Sequence, residues 1–226
     1  LTNAAIACNE NIIYLAGGET KEGASNRFFS LDIENVSAGW KELPQLAKPV
    51  SHAVIVVQLN GQHNCIYLIG GRKRNAGGIS DLYASVYQFD LSTNQWQQKR
   101  SLPYPLSAGT GVATGDNGVF VFGGDRGETF HKTELLIAEI AKEKDEERKQ
   151  KLNEEKAVLQ ASHPGFSKEV LLYNAAKDKW TKTGCIPFDA PVTTTAIKWN
   201  KEVVIPSGEI KAGVRTPQIL KAETRL

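Results

Sequence analysis

The sequence predicts an all-β fold of the propeller class, and three observations carry that prediction. A short apolar run ending in two glycines occurs three times: Ile13-Tyr14-Leu15-Ala16-Gly17-Gly18, Ile66-Tyr67-Leu68-Ile69-Gly70-Gly71 and Val119-Phe120-Val121-Phe122-Gly123-Gly124. The first glycines stand at 17, 70 and 123, so the run returns after 53 residues and again after 53. A tryptophan then closes each unit, at Trp40, Trp96 and Trp180. Self-similarity at such a period marks repeated supersecondary units.

Each run is rich in β-branched and aromatic residues and stops at glycine. That suits a strand which ends abruptly and brings its backbone close to another element. Ahead of each run lies a strand of smaller residues, over 3–8, 52–59 and 108–114. After it comes an aromatic strand that ends in turn chemistry: Phe28-Phe29-Ser30-Leu31-Asp32, Val86-Tyr87-Gln88-Phe89-Asp90 and Leu171-Leu172-Tyr173-Asn174. A short polar strand follows each tryptophan and runs to a proline, from Trp40 to Pro44, Trp96 to Pro103 and Trp180 to Pro187. Four antiparallel strands in this order make a propeller blade, and Gly-Gly…Tyr…Trp is the kelch pattern. The tyrosines and tryptophans are expected to pack between blades, and the glycines to relieve crowding near the axis.

The third unit is interrupted. From its second glycine to its tryptophan is 56 residues, against 25 in the second unit. The excess, over 131–162, is helical in character. It carries Leu135, Leu136, Ile137 and Ile140, then the charged run Lys142 to Lys149, and it ends at His163-Pro164-Gly165. Sparse apolar positions and balanced charges predict a largely solvated helix pair, suited to capping the propeller face or touching a neighbouring subunit. A fourth unit then starts. Thr193 to Ile197 resembles the small-residue strand, Glu202 to Gly208 stands in place of the Gly-Gly strand, and Pro217 to Ala222 in place of the aromatic one. Residues 1–226 thus read as one partial propeller domain of about three and three-quarter blades. A propeller needs about four to eight blades to close. The remaining blades are expected upstream in the same polypeptide or on a partner chain.

Composition narrows the function classes. A net charge of +2 with no basic patch argues against nucleic acid, and no apolar stretch is long enough to span a membrane. Cys8, Cys65 and Cys185 lack metal-type spacing and are expected to be core thiols. The sequence opens on Leu1 and reaches strand-like residues at once, as after removal of a leader or in the later part of a longer chain.

Chemistry is expected where the loops after the innermost strands gather around the channel, here the segments following each double glycine. They carry Glu19-Thr20-Lys21, Arg72-Lys73-Arg74, Asp125-Arg126 with Glu128, and Glu209 to Thr216. Converging charges without metal-ligand residues suit a small polar or anionic ligand, with no cofactor. In the last segment Glu209 and Arg215 share one loop. A cleft carboxylate can shuttle a proton and a guanidinium can clamp a carboxylate in bidentate fashion. An Arg–Glu pair that merely ties the loop is the plainer alternative.

Ser207-Gly208-Glu209-Ile210-Lys211-Ala212-Gly213-Val214-Arg215-Thr216 resembles the Gly-Glu-x-Lys-x-Gly-x-Arg-Thr segment of the bacterial N-acetylneuraminate epimerases, or sialic acid mutarotases, which are six-bladed kelch propellers. Gly17-Gly18-Glu19-Thr20 resembles that family's last blade, and the helical insertion falls in the corresponding blade, so the order looks like the cyclically permuted branch. The resemblance implies a mutarotase that interconverts the α and β anomers of N-acetylneuraminate. It makes Glu209 and Arg215 the catalytic pair, with Glu209 carrying the proton and Arg215 holding the C1 carboxylate. Glu19 and Arg72 are assigned to substrate binding on their post-glycine positions. The family's usual members look periplasmic, while the permuted order is compatible with the cytoplasm as well. The alternative is a non-catalytic kelch module that binds a protein or a carbohydrate. A copper radical oxidase would need a tyrosine, histidine and cysteine constellation that the dispersed His52, His63, His131 and His163 do not supply.

Overall fold

The computed structural model describes residues 1–223. The first sheet is a meander of β1 (Ala5–Asn9), β2 (Ile12–Ala16), β5 (Phe28–Asp32) and β6 (Lys41–Leu43), with a small hairpin, β3 (Glu19–Thr20) and β4 (Gly23–Ala24), set between β2 and β5. The second repeats the plan with β7 (Val54–Leu59), β8 (Asn64–Ile69), the hairpin β9 (Arg72–Lys73) and β10 (Asp81–Leu82), then β11 (Val86–Asp90) and β12 (Gln95–Lys99). The third comprises β13 (Thr110–Thr114), β14 (Gly118–Phe122), β15 (Glu169–Asn174) and β16 (Lys179–Cys185). Between β14 and β15 the hairpin is replaced by two helices, α1 (Glu128–Lys142) and α2 (Glu146–Ala161). The fourth sheet has three strands, β17 (Ile197–Trp199), β18 (Glu202–Lys211) and β19 (Val214–Glu223). All pairings are antiparallel.

The continuous apolar character of the second strand follows from where the sheets lie. In β8, Ile66 and Leu68 pack against Tyr14, Ala16 and Phe28 of the first sheet, while Cys65, Tyr67 and Ile69 pack against Val119, Val121, Leu171 and Tyr173 of the third. Val112 and Phe122 then meet Val203 and Ile205 of the fourth. A strand covered on both faces has no polar side to present, so it does not alternate. Burying each such side chain contributes roughly 1.5–3 kcal/mol. The tryptophans join neighbouring sheets as expected: Trp96 Nε1 donates to Pro44 O and Trp180 Nε1 to Arg100 O, both at 2.9 Å. Trp40, their equivalent, has no preceding sheet in this chain and is exposed.

Contacts between sheets run in series through the small-residue strands β1, β7, β13 and β17. These are therefore the innermost strands, and the double glycine ends the second strand of each sheet. The small-residue strands begin two residues later than their sequence suggests. Asn3, His52 and Ala108 have φ of +53°, +53° and +58°, which no strand accommodates. Their place is set by a backbone belt in which His52 N–H donates to Asn3 O at 3.0 Å, Ala108 to His52 at 2.9 Å and Thr193 to Ala108 at 3.2 Å. Thr193, at φ +51°, continues the belt, and the fourth inner strand starts at Ile197, four residues on where the others start two residues on.

Two further expectations change. Cys65 is fully buried, but Cys8 and Cys185 are exposed. Cys8 and Ile6 lie on the face of the first sheet that no other sheet covers in this chain, and Cys185 ends the outermost strand β16. The helices begin at Glu128, three residues before the expected start, because Gly127 turns the chain at φ +93° and Asp125 Oδ1 accepts its N–H at 2.7 Å. No residue of α1 and only Leu152 of α2 is buried, as the charge pattern predicts.

Candidate functional site

The residue after each double glycine is fixed by a two-way backbone bridge to the residue before each inner-strand turn. The pairs are Thr2 with Glu19, Ser51 with Arg72, Ser107 with Asp125 and Val192 with Glu209. Glu19, Arg72, Asp125 and Glu209 thus hold equivalent positions in four successive sheets. Glu19 lines a cavity of about 470 Å³ and Asp125 one of about 370 Å³, and two more are lined in part by the belt residues His52, Ala108 and Thr193. One, of about 250 Å³, is lined by the starts of the inner strands and carries no carboxylate or guanidinium. The other, of about 380 Å³, has Arg72, Ser107, Asp125 and Glu209 along the sheet ends and Phe130, Ile137, His163 and Phe166 from the insertion. The second brings charge and apolar surface together and is the candidate site.

Arg72 is the best-determined cation there. Its Nε stands 4.0 Å from Glu19 Oε1, and its Cζ lies 4.7 Å from the centroid of the Phe130 ring. Glu19 is held by Ser51, whose hydroxyl donates to Oε1 at 2.7 Å. His52 links the two: Nε2 is 3.5 Å from Arg72 Nη2, and Nδ1 is 3.1 Å from Ser51 Oγ. With Nε2 accepting from the guanidinium, the proton belongs on Nδ1, and the imidazole is neutral. Burial, then the Arg72 charge, push its pKa down to about 4 against the pull of Glu19. The 3.7 Å approach of His52 to Glu19 is therefore not an ion pair at neutral pH. Burial acts to raise the Glu19 carboxyl, but the Ser51 hydrogen bond and the neighbouring His52 and Arg72 together hold it below its ordinary range.

A pH dependence of stability follows. Between about 4 and the ordinary histidine value of 6.5, the unfolded chain binds a proton at His52 that the folded chain refuses. The contribution is fully present above 6.5 and lost as pH falls toward 4; it is about 3 kcal/mol. Glu19 acts in the same direction, below its ordinary 4.5. His52→Asn, which tolerates the left-handed backbone, should flatten the loss between pH 6.5 and 4.5 in urea unfolding. An unchanged slope would remove His52 as its source.

The insertion is latched onto the second sheet. Ser80 is buried, and its amide and hydroxyl both donate to the Glu134 carboxylate, at 2.9 and 2.6 Å. His131 Nε2 donates to Ser80 O at 3.0 Å. This double clamp on α1 is what lays Phe130 over Arg72. At the far end of α2, His163 Nδ1 accepts the Gly165 N–H at 3.0 Å, which leaves Nε2 as a donor at the cavity wall.

Glu209 lines the cavity, and its Oε1 accepts the Gly213 N–H at 2.7 Å. It does not sit on a loop with Arg215. β18 runs through Lys211 and β19 starts at Val214, so only Ala212 and Gly213 turn the chain, with Gly213 at φ +72°. Arg215 stands opposite Glu209 in the strand register, is exposed, and forms no ion pair among the described residues. The structure thus joins Glu19 to Arg72 and places Glu209 in a cavity with Arg72, but leaves Glu19 and Arg215 off its wall. Sequence reading missed Ser107, His52, His163 and Phe130. A serine just before the inner strand, at Ser51 and again at Ser107, was the available signal.

The described residues hold one other cluster, His63, Cys65 and Asp90. His63 Nε2 and Asp90 Oδ2 are 2.7 Å apart, and burial drives the Cys65 thiol up to about 11, so it takes part as a neutral hydrogen-bonding group.

A family model described as N-acetylneuraminate epimerase matches residues 1–225. Similar curated proteins include the N-acetylneuraminate epimerase of Salmonella typhimurium, 26% identical over 216 residues that cover 95% of this chain and 54% of the relative. That of Brucella melitensis biotype 1 is 26% identical over 225 residues, covering 96% of this chain and 55% of the relative. That of Haemophilus influenzae is 26% identical over 195 residues, covering 85% and 50%. The chain therefore spans about half the length of these relatives. The solved structure described as the structure of YjhT, a propeller, aligns with a TM-score of 0.80 at 18% identity, covering 98% of this chain and 62% of that one. That likeness is one of fold.

Proposed function

Because this chain belongs to the N-acetylneuraminate epimerase family, we propose that it is the larger part of the site of a sialic acid mutarotase. The observation that carries the reading is a carboxylate, Glu209, sharing one cavity of about 380 Å³ with the guanidinium of Arg72. A cavity of that size suits a monosaccharide, and Phe130 and Phe166 give it an apolar wall. In the proposed reaction Glu209 takes the proton of the anomeric hydroxyl and delivers it to the ring oxygen as the bond from C2 to that ring oxygen breaks. The open keto form turns about its C2–C3 bond. The ring oxygen then attacks the other face, returning its proton as the new hydroxyl regains one. No redox step is involved, and no cofactor is required. Glu19 acts through Arg72 as a positioning group. Arg215, across the hairpin from Glu209, is the second cation of the proposal; to hold the C1 carboxylate its side chain would have to reach round the hairpin.

The site is completed by blades that this chain does not contain, in a ring of six. Support comes from the two uncovered end faces, with Ile6 on the first sheet and Trp199 and Ile219 on the fourth all exposed. Proton NMR of N-acetylneuraminate with the natural full-length protein tests the function. Anomer exchange well above the uncatalysed rate is expected, and exchange at the uncatalysed rate would leave a binding module. Intact mass tests the ring: a natural product near 24.7 kDa would sink upstream blades on the same polypeptide.

A further inference from the structure

Two buried side-chain polar atoms have no hydrogen-bond partner among the described residues, Arg72 Nε and Ser107 Oγ, and both residues line the same cavity. Ser107 is 2% exposed. Leaving a buried hydroxyl unpaired is costly, and such groups in a folded protein call for a specific explanation.

The repeat supplies one. Gly18 N–H donates to Val50 O and Gly71 N–H to Leu106 O, both at 2.8 Å, so Ser51 and Ser107 follow equivalent residues in adjacent sheets. At the first of these junctions Ser51 faces the post-glycine residue of the preceding sheet, Glu19, and its hydroxyl donates to that carboxylate at 2.7 Å. At the second, the residue that holds the corresponding position in the preceding sheet is Arg72, which lines the same cavity as Ser107. A guanidinium has only donors, so the hydroxyl loses the carboxylate acceptor that its counterpart has. The Arg72 Nε–H is unspent as well, because Glu19 Oε1 stands at 4.0 Å, beyond hydrogen-bond reach.

We propose that Ser107 and Arg72 form a carboxylate subsite, in which an acidic ligand supplies the acceptor oxygens that Glu19 supplies at the neighbouring junction. Phe130 over the guanidinium, with Glu19 and His52 beside it, restrains Arg72 at that cavity. The inference rests on the mutarotase reading for the identity of the acid, which would be the C1 carboxylate of the sugar, and it moves that role from Arg215 to Arg72.

The test is binding of N-acetylneuraminate, its C1 amide and pyruvate to the natural full-length protein, followed by calorimetry or ligand-observed NMR. Ser107→Ala removes no existing hydrogen bond, so the ligand-free unfolding midpoint should hold or rise; a fall would show structural work by the hydroxyl and overturn the proposal. The substitution should weaken the acid about tenfold and leave the amide unchanged. Arg72→Gln should weaken the acid by more, again sparing the amide, while Arg215→Gln should affect both alike or neither. Equal losses for acid and amide on Ser107→Ala, or no loss for either, would overturn the subsite with the mutarotase reading intact. If wild-type protein ignores the sugar but binds pyruvate with the same Ser107 dependence, the subsite stands and the sugar reading fails. If no carboxylate binds, the subsite is wrong.

Discussion

Glu209→Gln is expected to slow N-acetylneuraminate anomer exchange by about two to four orders of magnitude, the usual worth of a positioned acid/base group. The substitution is conservative where it matters for structure. The glutamine carbonyl can still accept the Gly213 N–H that Glu209 Oε1 accepts at 2.7 Å, so the β18–β19 turn keeps its tie. What is lost is the ability to take a proton from the anomeric hydroxyl and return it. Binding of the sugar should change little, so the loss falls on turnover rather than on affinity. Exchange rates from saturation-transfer NMR, with the unfolding midpoint as a control on folding, decide it. An exchange rate within about twofold of wild type, with the fold intact, removes Glu209 from the chemistry.

Much of the architecture was legible because a few residue types have one physical solution here. The run Ile66 to Ile69 cannot alternate, since both its faces are covered, and the recurring tryptophan marks the strand that reaches back to the previous sheet through Trp96 and Trp180. The left-handed belt through Asn3, His52, Ala108 and Thr193 was not legible, because none of these residues is glycine and its cause is a hydrogen bond to the next sheet. Cys8 reads as a core thiol in a strand pattern; its exposure follows from its place on the uncovered face of the first sheet. The segment from Glu209 to Arg215 looks like a loop in sequence, since glycines stand at 208 and 213, but strand pairing continues through Glu209–Arg215 to Lys211–Val214 with register shifts that absorb the irregular residues.

The site divides in the same way. Post-glycine positions pointed to Glu19, Arg72 and Glu209, because the repeat that sets the blade also sets where its chain emerges. The cavity that Arg72 and Glu209 share is walled by the insertion, and the insertion docks through Ser80 and Glu134, which lie 54 residues apart without any motif. Ser107 is informative only beside Ser51: the same residue type in the same position meets opposite charges in successive blades. The repeat identifies the position, and the departure from the repeat identifies the chemistry.

Gly70→Ala is expected to cost about 3 kcal/mol or more in stability. Two terms add. Gly70 sits at φ +64°, where a Cβ is strained, and that Cβ would overlap the Leu106 carbonyl oxygen. The carbonyl cannot withdraw freely, because it accepts the Gly71 N–H at 2.8 Å, while the Gly70 N–H is itself tied to Ser85 O at 2.9 Å. Relief requires moving the backbone that joins the second and third sheets. Gly77 separates the terms: its φ of +67° is similar, but nothing lies within 4 Å of the position its Cβ would take. Gly77→Ala should therefore cost only the conformational term, about 1 kcal/mol. For a chain of this size the predicted fall in melting temperature is about 6–12 °C at Gly70 and about 2–4 °C at Gly77. Equal losses at the two positions would show that crowding at the sheet junction is not the cause. Gly70 precedes Arg72 by two residues, and a Cβ placed there would press on the Leu106 carbonyl just before Ser107. The same substitution should therefore widen the gap between those two side chains and weaken an acidic ligand beyond what the stability loss alone would do.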